Sequence, residues 1–157
     1  MNHVRNRILS KPFLKSLFLV QNKWHQHGVL VHTLRVVYYV IKKGYFRFIP
    51  AAFLHDIGKP VCAYRKDAED FEFDEYSFTD HEEIGYNIVR NWSFISQYTK
   101  NVVRYHYLIR DIKKSKTEDF TRYKQKKLIW DSLDIKMHKE LELFLVCDDL
   151  AKGKRRR

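Results

Sequence analysis

The chain has 157 residues, 45% hydrophobic and 15% aromatic, with only five glycines and three prolines. That length implies one domain with one core, and the scarcity of turn formers favours helices over a turn-rich sandwich. A net charge of +11 points to anionic partners or, with equal weight, to a soluble basic protein without a polymer partner; two cysteines exclude a disulfide framework, and no stretch approaches the ~20 apolar residues that span a membrane.

Residues 11–23 place Phe13, Leu14, Leu17, Phe18 and Val20 at helical spacing. Residues 28–43 repeat the pattern with Val29, Val36, Val40 and Ile41, and Lys42-Lys43-Gly44 is a helix stop. A third apolar segment runs over 46–57 and closes at Gly58 and Pro60. Residues 62–80 hold seven carboxylates among alternating aromatics, which reads as a long acidic loop or a short two-stranded hairpin. Thr79 and Glu82 have capping-box spacing and predict a helix with His81 in its first turn. One helix is expected over 94–109 and another over 134–152, with a basic stretch at 113–127 between them. The chain thus reads as one all-α bundle of six to seven helices, with its core at 11–152 and a basic, disordered tail at 153–157. The N-terminus lacks a signal-peptide pattern, so a reducing cytoplasmic location is expected.

Six polar residues fall where the helical period calls for core: His32, His55, Asp56, His81, His106 and Asp148. One histidine on an apolar face is usually a satisfied core residue. Six such groups on five different helices need partners, and a metal ion inside the bundle would serve all of them. Imidazole with carboxylate suits Mn, Fe, Ni, Co or Zn, and a cysteine-rich zinc site is excluded by composition. Asp148 shares the stripe of Leu141, Phe144 and Leu145, whereas Asp149 turns away with Glu142, so Asp148 is the expected ligand. His55 and Asp56 are adjacent, and at a helix end they can straddle one ion, or the carboxylate can bridge two. Gly58 is read as permitting a tight turn, and Lys59 as a fixed charge for a phosphate oxygen.

The blocks WHQHGVLVHTLRVV (24–37), FLHDIGKP (53–60), FTDHEEIGYNI (78–88) and VCDDLAKG (146–153) resemble the successive motifs of the HD-domain metal-dependent phosphohydrolase superfamily. The first block is similar to the HD domains of bacterial tRNA nucleotidyltransferases through Trp24, His25, Gly28, His32, Thr33 and Leu34, although His27 stands where that pattern has glutamate. There is no Gly-Ser followed by an Asp-x-Asp pair, so a stand-alone hydrolase is expected.

The resemblance implies that His32, His55, Asp56 and Asp148 hold a first divalent ion. Asp56 would bridge to a second one on His81 and His106, although those two could instead bind substrate. The basic residue that the family places four after its last aspartate is matched by Lys152. Lys59 corresponds to the family's phosphate-contacting lysine, and His25 to a substrate contact. The implied activity is phosphomonoesterase or phosphodiesterase hydrolysis of a nucleotide or nucleic-acid phosphate by a metal-activated water, Mg being a further candidate ion, with Asp56 and Lys59 catalytic. The alternative is a non-catalytic nucleic-acid- or nucleotide-binding module with a residual metal site. The basic stretch could contact RNA or DNA, its Phe120, Tyr123 and Trp130 serving either as core anchors or as stacking platforms.

Overall fold

The computed structural model describes residues 18–21, 25–65 and 68–153. Among them every named element is helical, so the fold is the all-α bundle expected. Six helices run nine to eighteen residues: α1 (Val29–Lys42), α5 (His81–Val89), α6 (Gln97–Tyr105), α7 (Leu108–Glu118), α8 (Phe120–Ser132) and α9 (Ile135–Lys152). Three short helices lie between the first two of these: α2 (Ile49–Leu54), α3 (Lys59–Cys62) and α4 (Ala68–Glu72).

The periodicity of α1 buries Val29, His32, Thr33, Val36, Val37 and Val40. It stops as the sequence predicts: Gly44 sits at φ +74°, and its N–H and that of Tyr45 return to the carbonyls of Ile41 and Val40. Helices α6, α8 and α9 begin with side-chain caps from Ser96, Asp119 and Asp134, each worth about 1 kcal/mol. In α2, Ala51 and Ala52 carry nothing beyond Cβ, which lets this short helix lie close to both α1 and α6.

The main core joins α1, α2, α6 and α9 through Val36, Val40, Phe48, Ala51, Val102, Phe144, Cys147 and Ala151. A smaller cluster of Ile57, Val89 and Val103 fixes the turn after α2 against α5 and α6. Glu140 closes one flank by accepting from Arg47 Nε (2.6 Å), Arg47 Nη2 (3.0 Å) and Tyr98 Oη (2.5 Å). Helices α7 and α8 pack chiefly against each other, and α8 buries no side chain.

Several sequence expectations change. Of the helix expected over 11–23, residues 11–17 and 22–23 lie outside the described residues, as does the tail beyond Gly153. The described part is not helical, because the carbonyls of Leu19 and Val20 accept from Val29 and Tyr76 rather than from a following turn. Among the described residues the acidic segment forms no two-stranded hairpin. It folds around α4, pins its ends by one antiparallel bridge, Tyr64 to Ser77, and turns at Asp74 with φ +50°. The capping box is also absent. Thr79 Oγ1 instead bonds Tyr64 Oη at 2.6 Å, while Asp80 takes the N-cap position in a left-handed conformation (φ +56°). The helix expected over 94–109 breaks at His106–Tyr107 into α6 and α7, with no glycine or proline to announce it.

Gly58 has φ −77°, so it is not needed for a special backbone conformation. Its reason is steric: a Cβ there would stand 2.0 Å from the His81 carbonyl oxygen and 2.7 Å from Gly85 N. The turn after α2 can touch the first turn of α5 only because residue 58 has no side chain.

Candidate metal centre

The six predicted polar residues converge. His32 comes from α1, His55 and Asp56 from the turn after α2, and His81 from the first position of α5. His106 ends α6, and Asp148 lies in the last third of α9. All six are buried, none more than 4% exposed. Asp56 stands at the centre: Oδ2 lies 3.2 Å from His55 Nε2 and 3.6 Å from His32 Nε2, while Oδ1 lies 3.5 Å from His81 Nε2 and 3.9 Å from His106 Nε2. Two ligand triads result, His32-His55-Asp56 and Asp56-His81-His106, and they share this one carboxylate. Asp148 Oδ1 lies 2.9 Å from His32 Nε2 and so borders the first triad.

The orientation of the imidazoles follows from the backbone. His55, His81 and His106 each place Nδ1 within 2.8–3.0 Å of the carbonyl three residues earlier, that of Ala52, Phe78 and Val103. A carbonyl can only accept, so each Nδ1 carries the hydrogen and each Nε2 turns a lone pair inward. His81 Nε2 and His106 Nε2 then face each other at 3.2 Å, acceptor against acceptor. Such a contact needs a cation between or beside the two nitrogens. A proton is disfavoured: burial pushes His81 down to about 4, and burial together with His55 and His81 drives His106 well below the usual imidazole range. His55 Nε2 is likewise buried without a hydrogen-bond partner. The donor set therefore fits a divalent metal ion of the Mn, Fe, Co, Ni or Zn kind.

The carboxylates are held charged. Burial alone would raise Asp56, but His55 and Lys59 beside it keep it well below the usual carboxylate range. Burial likewise works against ionised Asp148, and Arg110 and His32 outweigh it. At His55, burial opposes a second proton and the adjacent Asp56 favours one, with Asp56 prevailing.

Lys59 is 5% exposed, and its ammonium lies 2.7 Å from Asp56 Oδ2 and 2.5 Å from Gln21 Oε1. It flanks the centre with its charge turned onto Asp56. The His25 ring stands edge-on to His32 at 5.2 Å, and burial followed by the nearby Lys59 pushes its imidazole well below the usual range. Asp149 is exposed and faces away, in keeping with the choice of Asp148.

The HD domain family model matches residues 29–136. The chain belongs to the HD domain family. The matched span contains His32, His55, Asp56, His81 and His106, and ends before Asp148. No curated protein and no solved structure matches the chain at a significant level.

Sequence reasoning missed several residues that shape this HD domain's centre. Gln21 is fully buried and grips Lys59 while donating from Nε2 to the His27 carbonyl (3.2 Å). No local pattern marks it. Arg110 pairs with Asp148 Oδ2 through Nη1 and with Asp149 Oδ1 through Nη2 (2.6 Å). The signal for it was a basic residue one helical turn after His106. Glu82 is 4% exposed beside His81, and its nearest cation is Lys126 at 3.5 Å. Phe120, Tyr123 and Trp130 anchor no core. Phe120 stacks on Tyr123 with centroids 6.1 Å apart and the Lys124 ammonium 4.6 Å from the Phe120 ring centre, while Trp130 stacks on His138. Among the described residues, no helix is long and apolar enough to cross a membrane.

Proposed function

We propose that this HD domain is a metal-dependent phosphohydrolase acting on a nucleotide or nucleic-acid phosphate. The observation that carries the reading is the shared Asp56: one buried carboxylate offers an oxygen to each of two imidazole sets. His32, His55, Asp56 and Asp148 would hold one ion, and Asp56, His81 and His106 a second. Divalent ions in such a site activate water as a nucleophile and neutralise the phosphoryl oxygens.

The chain's own groups divide the remaining work. His81 and His106, tethered through Nδ1, present neutral Nε2 atoms without rearrangement. Lys59 steadies Asp56 and supplies a positive charge beside the phosphoryl position. His25, whose ring meets His32 edge-on, would be a substrate contact. The resemblance of the first histidine block to tRNA nucleotidyltransferase HD domains supports a nucleotide or RNA-end substrate. The α7–α8 hairpin, with exposed Lys113, Lys116 and Lys124 and the Phe120–Tyr123 stack, offers the electrostatic and stacking features that single strands use.

The test is metal analysis of the purified chain, followed by hydrolysis of mononucleotides, cyclic nucleotides and short oligonucleotides with Mn, Ni, Co and Mg. Bound divalent metal and turnover that falls at least about a hundredfold in His55→Ala and Asp56→Ala are expected. A chain that binds no metal, or variants as active as the parent, would sink the proposal.

A further inference from the structure

We propose that Arg110 is a positioning residue that limits Asp148 to a single metal-facing oxygen, holding metal affinity down in favour of turnover. The inference rests on the metal-centre reading above and deepens it. Asp148 has two carboxylate oxygens with different neighbours. Oδ1 faces His32 Nε2 at 2.9 Å, on the ligand side. Oδ2 is taken by Arg110 Nη1.

The guanidinium cannot simply swing away. Its other arm, Nη2, is tied to Asp149 Oδ1 at 2.6 Å, so one planar fork spans two consecutive carboxylates of α9. Lys152 Nζ, 3.0 Å from the same Asp149 oxygen, holds Asp149 in place from behind. The Arg110 side chain is 16% exposed, which leaves little solvent to compete for these bonds. Arg110 also starts α7 one turn after His106, so the clamp sets the α9 ligand and the α6 ligand relative to each other.

Two consequences follow for the chain's own residues. With Oδ2 occupied, Asp148 has one oxygen left for a cation, which keeps a position open for water or a substrate oxygen. The fixed positive charge beside Asp148 also opposes a divalent ion, so affinity stays below what the carboxylate alone would give. Removing the guanidinium frees Oδ2 and removes that charge. Metal should then bind more tightly while turnover falls. A purely structural arginine gives the opposite: both would weaken together.

The experiment uses metal-stripped full chain, Mn2+ binding by titration calorimetry, and steady-state hydrolysis of bis-p-nitrophenyl phosphate. For Arg110→Ala, Mn2+ affinity should rise at least about tenfold while kcat falls at least about tenfold with KM little changed. For Arg110→Lys, which keeps the charge but not the fork, Mn2+ affinity should stay within about twofold of the parent while kcat falls at least about fivefold. Weaker or unchanged Mn2+ binding in Arg110→Ala would overturn the proposal. So would full kcat in Arg110→Lys, which decides the matter if the alanine variant does not fold. A parent chain that binds no Mn2+ instead overturns the metal-centre reading itself, and the Arg110 proposal with it.

Discussion

Gly58→Ala separates two physical expectations of opposite sign. At φ −77° alanine is conformationally unstrained, and the usual effect of Gly→Ala at such a site is a gain of about 0.4–1 kcal/mol through the unfolded chain. The structure reverses that. The new Cβ would stand 2.0 Å from the His81 carbonyl oxygen and 2.7 Å from Gly85 N, against the 3.4 Å or more of ordinary contact. Both obstacles are backbone, so no side chain can rotate aside. The start of α5 must retreat from the His55-Asp56 turn by about 1.4 Å, an overpacking that places the net loss near 3 kcal/mol. With a urea m-value of about 2 kcal/mol/M, the unfolding midpoint should drop by about 1.5 M. The retreat also carries His81 away from Asp56, whose Oδ1 now lies 3.5 Å from its Nε2, so Mn2+ binding to the second triad should weaken. A midpoint that is unchanged or raised would refute the steric argument.

Stability should fall in acid through carboxylates outside the metal centre. Burial works against ionised Glu140, but hydrogen bonds from Arg47 and Tyr98 bring it below its ordinary 4.5; burial works against Asp111 too, and Arg122 and Lys126 bring it below 3.8. A depressed folded value stabilises above the unfolded value and is lost as pH drops through the folded one. The urea midpoint should therefore decline as pH falls below about 4.5, and Glu140→Gln should lie below the parent at pH 6, with the gap narrowing as pH falls below that point. A constant gap across that range would contradict the assignment. If the α7–α8 hairpin follows a nucleic-acid backbone, affinity for a short single-stranded RNA should fall linearly with the logarithm of salt concentration. Joint replacement of Lys113, Lys116 and Lys124 by glutamate should lower it at least about tenfold and flatten the slope. A flat salt dependence in the parent would rule out phosphate-driven binding.

The sequence by itself determined the helical class and which polar residues the fold buries. Both follow from periodicity: valines at helical spacing define α1, and a histidine or aspartate on such a face must find a partner once the face is buried. The burial of Asp148 and the exposure of Asp149 were legible too, because a 100° rotation per residue puts one on the stripe of Phe144 and the other outside it. Tertiary structure alone decided what depends on contacts between distant segments. The facing of His81 Nε2 and His106 Nε2 joins rings 25 residues apart in the chain. The need for glycine at 58 arises from a helix that begins 23 residues later. Gln21 on Lys59 and Arg110 on Asp148 join positions 38 residues apart in each case, a relation that no local pattern encodes. Local periodicity records which face is buried. It does not record which buried faces meet, and the metal centre is made where they do.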